Sequence, residues 1–101
     1  MKQVCTLAEM CGWQWVHFRP AKTSHGWRTP VSGPLGEGWP DLVLVRVRDK
    51  RILFVELKAR GHGMVGVPLD QIEVMNVLHD AGAMAYIWRP EDWPLIELTL
   101  R

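Results

Sequence analysis

Between Asp41 and Lys58 the chain reads DLVLVRVRDKRILFVELK, two apolar runs around a charged centre. Leu42–Val47 and Ile52–Leu57 are rich in β-branched and aliphatic residues, which predicts strands, and the polar stretch between them predicts a hairpin. Upstream, Val4, Leu7, Ala8 and Cys11 recur at helical spacing, so Lys2–Cys11 is expected to be a helix that Gly12 ends. Trp13–Phe18 alternates loosely and suits a short strand. Arg19–Pro40 is broken by Pro and Gly and is expected to be a long irregular loop, a kind of segment that usually carries function. Gly61, Gly63, Gly66 and Pro68 make a second loop. Leu69–Ala81 reads as a helix with Ile72, Met75, Val77, Leu78 and Ala81 on its apolar side and Gly82 as its stop. Met84–Trp88 is a strand broken by Pro90, and Glu91–Leu100 fits either a short helix or an extended tail. The expected order, helix, strand, strand, strand, helix, strand, tail, describes a single α/β domain over residues 1–101, with a central mixed sheet flanked by helices.

The strands raise a question: Asp41, Glu56 and Lys58 stand where the surrounding pattern is apolar. A two-residue turn at Asp49-Lys50 would set Arg48 against Arg51, Asp41 against Lys58 and Val43 against Glu56. Side chains two apart share a face of a sheet, so this register puts Asp41, Glu56 and Lys58 on one side. A loop with an odd number of residues would send Asp41 to the other side. Arg46 and Arg48 have the opposite parity and face away. Ile52–Val55 is apolar on both faces, which marks that strand as central.

Two carboxylates on neighbouring positions can hold one divalent cation between their oxygens, and Mg²⁺ suits such a pair because it takes one or two carboxylates plus water and phosphate oxygens. Without a cation they repel. Asp41 and Glu56 are therefore candidate metal ligands, with the backbone carbonyl of Leu57 as a third oxygen. Lys58 is placed to orient or deprotonate an attacking water and to stabilise charge on a phosphate. This constellation points to metal-assisted phosphodiester hydrolysis. The plainer alternative is a solvated salt bridge between Asp41 and Lys58.

The formal net charge of +1 gives no electrostatic signature of a nucleic-acid partner, and leaves room for charges segregated to one face. Cys5 and Cys11 have neither zinc-site spacing nor the number for a disulfide framework. No apolar run reaches the length of a membrane span, so a cytoplasmic protein is expected. Basic and aromatic residues do cluster around the predicted strands. Lys22, Trp27, Arg28 and Trp39 lie in the long loop, and Arg60 and His62 follow Lys58. Such groups suit a DNA backbone and unstacked bases. His17 could contact phosphate, reach the metal site or satisfy a core carbonyl.

The segments GWPDLVLVR and RILFVELKA, then Gln71, then AGAMAYIWRPEDW, resemble the VRR-NUC domain of the PD-(D/E)XK nuclease superfamily over nearly the whole chain. The resemblance implies a restriction-endonuclease-like core. It maps the nuclease signature to Pro40-Asp41 and Glu56-Leu57-Lys58, and makes Gln71 an accompanying catalytic residue. It implies an Mg²⁺- or Mn²⁺-dependent endodeoxyribonuclease acting as a homodimer on branched DNA such as Holliday junctions, in a bacterial or phage-infected cell. A flap or restriction-type nuclease of the same superfamily and a non-catalytic DNA-binding module are the alternatives. Many members supply a further acid from the first helix, and Glu9 is the candidate here. Loop residues Val31, Leu35, Met64, Val65 and Val67 are candidates for the dimer interface.

Overall fold

The computed structural model describes residues 1–18, 21–23, 26–28 and 31–101, the two short middle segments by their backbone alone. The chain folds as helix α1 (Lys2–Met10), strands β1 (Gln14–His17), β2 (Ala21–Thr23), β3 (Gly26–Arg28), β4 (Leu42–Arg46) and β5 (Arg51–Leu57), helix α2 (Leu69–Asp80), strand β6 (Met84–Trp88), one 3₁₀ turn (Pro90–Asp92) and helix α3 (Trp93–Leu100). A four-stranded mixed sheet runs in the order β1-β4-β5-β6. β1, β4 and β5 are antiparallel neighbours, and β6 lies parallel to β5. Parallel neighbours need a crossover connection, which α2 provides. β5 is central, as its two-sided apolar pattern predicts. Among the described residues no helix is long and apolar enough to cross a membrane.

The two glycines read as helix stops close their helices in the same way. Gly12 and Gly82 have φ of +85° and +88°, and each starts a pair of returning amide bonds. Gly12 N–H donates to Glu9 and Trp13 N–H to Ala8, while Gly82 N–H donates to His79 and Ala83 N–H to Leu78. This is the Schellman arrangement, which satisfies the last carbonyls of a helix and needs a left-handed residue at its turn.

Pleat parity divides the core into two layers. On one face Leu42, Leu44, Leu53, Val55 and Trp88 pack with Val4, Leu7 and Ala8 of α1 and with Ile96 and Leu100 of α3. The C-terminal segment is thus helical because Ile96 and Leu100, one turn apart, complete this layer. On the other face Ala85, Phe54 and Ile87 pack with Val74, Met75 and Leu78 of α2, joined by Leu35 and Trp39. Val77 is 47% exposed and Ala81 is exposed as well, so the expected apolar side of α2 is narrower: its stripe is 74, 75 and 78. Leu35 is half-buried in this layer and Val67 is buried, whereas Met64 and Val65 are exposed.

Two expectations about the strands change. Arg19–Pro40 is not wholly irregular, because β2 and β3 pair antiparallel with Lys22 opposite Trp27. The β4–β5 register also differs by two. Arg46 pairs with Arg51 and Leu42 with Val55, so the connection is the four residues 47–50, centred one residue earlier than Asp49-Lys50. A two-residue type I′ turn would require φ > 0 at both central positions. Here only Lys50 is left-handed, at φ 55°. Arg46 reinforces the longer loop with a two-pronged grip on Asp49, Nε to Oδ1 at 3.0 Å and Nη2 to Oδ2 at 2.8 Å. Its Nη1 also donates to the Cys11 and Leu100 carbonyls, with the guanidinium over the Trp13 ring at 4.4 Å. Arg46 is therefore buried on the α1 face, away from Asp41. A shift of two keeps parity, so Asp41, Glu56 and Lys58 still share one face.

Candidate active site

The changed register brings Asp41 directly opposite Glu56 instead of Lys58. Their contact is reciprocal through the backbone. The Asp41 amide donates to Glu56 Oε1 at 3.2 Å, and the Leu57 amide donates to Asp41 Oδ2 at 3.0 Å. The Lys58 ammonium lies 3.3 Å from Glu56 Oε2. Asp41, Glu56 and Lys58 are thus brought together, with Lys58 paired to Glu56. The expected Asp41–Lys58 opposition is not formed, because the four-residue turn advances the pairing.

Glu56 is 3% exposed. Its carboxyl is pushed up from 4.5 to about 7, first by burial and then by the Asp41 charge, against the pull of Lys58. A buried acid beside a second acid costs stability when both ionise. Folds that keep such a group commonly use it, because strongly perturbed acids gather at functional sites.

The entry to Asp41 is built by Gly38-Trp39-Pro40. Gly38 has φ +86°, and a Cβ there would lie 2.4 Å from the Asp70 carbonyl oxygen and 2.9 Å from the Gln71 nitrogen. Only glycine allows the loop to touch the first turn of α2 so closely. That contact brings Gln71 to the loop that delivers Asp41. The Gln71 Oε1 is buried and has no hydrogen-bond partner among the described residues. An orphaned buried acceptor costs on the order of 1–3 kcal/mol, and it is a hard oxygen of the kind a divalent cation or its water takes up.

The other candidates are placed as follows. His17 pairs with Leu42, so it lies on the pleat face opposite to Asp41. Glu9 is exposed and accepts a hydrogen bond from the Trp15 indole at 3.0 Å. It is not gathered with Asp41 and Glu56: among the described residues no three His, Cys, Asp or Glu side chains come together as a metal cluster. Arg60 and His62 are exposed in the loop after Lys58. Lys22 and Arg28 belong to the β2–β3 hairpin, and their side chains lie outside the described residues, as does His25. His79 bonds the Ala85 carbonyl through Nε2 at 2.7 Å, tying α2 to β6.

Arg89 was not anticipated as part of the site. It is 9% exposed and folds back onto the loop that follows Lys58, donating to the carbonyls of Ala59 at 2.7 Å, Gly63 at 3.1 Å and Val65 at 2.7 Å. Glu91 secures the same loop by accepting from the Gly61 amide at 2.8 Å. The WRPEDW composition was visible in the sequence, but its target 24–30 residues upstream was not.

Comparison with protein-family models, with curated proteins and with solved structures returns no match.

Proposed function

We propose that this chain is a divalent-cation-dependent DNA endonuclease with a restriction-endonuclease-like core, akin to the VRR-NUC domain of the PD-(D/E)XK superfamily. The observation that carries the proposal is the facing pair Asp41 and Glu56 with Lys58 at 3.3 Å from Glu56. The order of elements in and around the main sheet supports it too: a helix, three antiparallel strands, a crossover helix and a parallel fourth strand, with Asp41 immediately before β4 and Glu56 on β5.

The residues present fit Mg²⁺ or Mn²⁺. Asp41 and Glu56 would supply carboxylate oxygens, and the Leu57 carbonyl a third oxygen. Gln71 Oε1, unpartnered among the described residues, would accept from a water of the hydration shell. When bound, the cation supplies Lewis-acid polarisation of a phosphate and a more acidic attacking water. Glu56 would then give up its proton, since a bound cation would offset both the burial and the Asp41 charge that push its carboxyl up to about 7. Lys58 turns from Glu56 to the reacting phosphate, orients the water and stabilises the negative charge that develops. Arg89 and Glu91 hold the following loop, which fixes where Lys58 ends and where the exposed Arg60 and His62 meet the DNA backbone. Two symmetric copies would give the paired cuts that a four-way junction requires.

The test is cleavage of labelled four-way junction, flap and linear duplex DNA with Mg²⁺ or Mn²⁺. Wild type should cut a branched substrate, and Asp41→Asn and Lys58→Ala should lose at least about 100-fold, the scale of one lost electrostatic contributor. Equal inertness of all three proteins with both cations would transfer the fold to the non-catalytic DNA-binding class.

A further inference from the structure

Beside the acidic pair lies a cleft of about 310 Å³ that the chemistry above does not use, walled by Phe18, Val31, Leu35 and Trp39, with Ser32 at its rim. Its aromatic rings are held at fixed angles. Trp39 meets Phe54 edge-on at 5.6 Å and 80°, and Phe18 meets Trp39 at 6.4 Å and 87°. No charged side chain is among its described walls, which are apolar apart from Ser32 and Gly36, and they suit a flat apolar surface. It is also tied to the site. Trp39 precedes Asp41 by two residues, at most about 7 Å of chain. The Phe18 amide donates to the Asp41 carbonyl at 2.7 Å.

We propose that this cleft is a nucleobase pocket, taking one unstacked base of the strand whose phosphate lies at Asp41 and Glu56. The proposal rests on the nuclease reading and sharpens its substrate class. Every base presents a π face, so aromatic stacking binds bases with little sequence preference. A base inside intact duplex reaches the pocket only by leaving its stack, which costs energy and is cheapest where pairing is already broken. The pocket therefore selects branch points, frayed ends and single-stranded segments over continuous duplex, and it does so next to the scissile phosphate.

The test uses a labelled splayed-arm DNA and a labelled four-way junction, each with one abasic position moved a nucleotide at a time through the branch. Binding is measured with Ca²⁺ in place of Mg²⁺, and cutting is measured separately with Mg²⁺. Wild-type binding should weaken about 5- to 100-fold when one particular base next to the cut is removed, as expected for one lost stack. Ser32→Trp, which fills the cleft from its exposed rim, should bind the intact DNA as weakly as wild type binds that abasic DNA, and should no longer respond to the abasic position. Phe18→Leu, which removes a ring without emptying the site, should reduce the dependence. If wild type binds and cuts but shows no positional dependence, the pocket is refuted and the nuclease stands. If the dependence persists unchanged in both variants, the base sits elsewhere and the pocket is refuted. Positional dependence without cutting would keep the pocket and refute the nuclease. Failure to bind either DNA would refute both.

Discussion

Replacing Glu56 with glutamine should make the cation-free protein more stable, and more so as the pH rises. The carboxyl titrates at about 7 in the folded chain against an ordinary 4.5. Below pH 4.5 the folded and unfolded chains both hold the proton and the group contributes nothing. Between 4.5 and 7 the folded chain keeps a proton that the unfolded chain releases, so stability falls as the pH rises. Above 7 both are ionised and the full penalty is present. At about 1.4 kcal/mol per pH unit, the gap amounts to about 3 kcal/mol. Glutamine is nearly isosteric, can still accept from the Asp41 amide, and carries no charge to desolvate. Urea unfolding in EDTA, followed at pH 5, 6, 7 and 8, reads the effect. The variant should gain about 3 kcal/mol over wild type at pH 8 and only about 0.8 kcal/mol at pH 5. With the m-values of small domains, the pH 8 gain is a midpoint shift of about 1–3 M. A stability difference that stays constant across this pH range would refute the reasoning, since it would mean that water or Lys58 already compensates the carboxylate.

The same site should respond to its cation. Mg²⁺ at ten times its dissociation constant should raise wild-type stability at pH 8 by about 1.4 kcal/mol and leave Asp41→Asn nearly unchanged. Lys58→Ala removes a cation that lowers the Glu56 carboxyl, so the midpoint of the wild-type pH dependence should move above 7. Arg89→Met should cost about 1–3 kcal/mol through loss of the charge-assisted hydrogen bonds to the Ala59, Gly63 and Val65 carbonyls, and should speed amide exchange through residues 59–66 before the rest of the chain. Gly38→Ala should cost at least about 2 kcal/mol, from left-handed strain plus the clash with the Asp70 carbonyl, and thermal unfolding would read it.

What could be read ahead of the structure was local or periodic. The strand period of two put Asp41, Glu56 and Lys58 on one face whatever even-length turn joined the strands, and helical spacing with Gly12 and Gly82 bounded both long helices. The exact register could not be read, because it depends on which residue takes the left-handed conformation. Lys50 does so, held by an Arg46–Asp49 grip that no propensity encodes. The remaining features of the site depend on contacts between distant parts of the chain. Gly38 against Asp70, Phe18 against Trp39 and Arg89 against the 59–65 loop become visible only when the layers pack. Glu9 could be placed off the apolar stripe of α1, but whether that side faced the acids depended on how α1 lay on the sheet. It lies so that Glu9 meets Trp15.

The most direct test of the central claim is an anomalous difference map from a crystal of the wild-type protein soaked in Mn²⁺ at pH 8. The account predicts a peak within about 2.5 Å of both the Asp41 and Glu56 carboxylates, with the Lys58 ammonium displaced from Glu56 Oε2. No peak at that position at saturating Mn²⁺, with the Lys58–Glu56 ion pair intact, would contradict it.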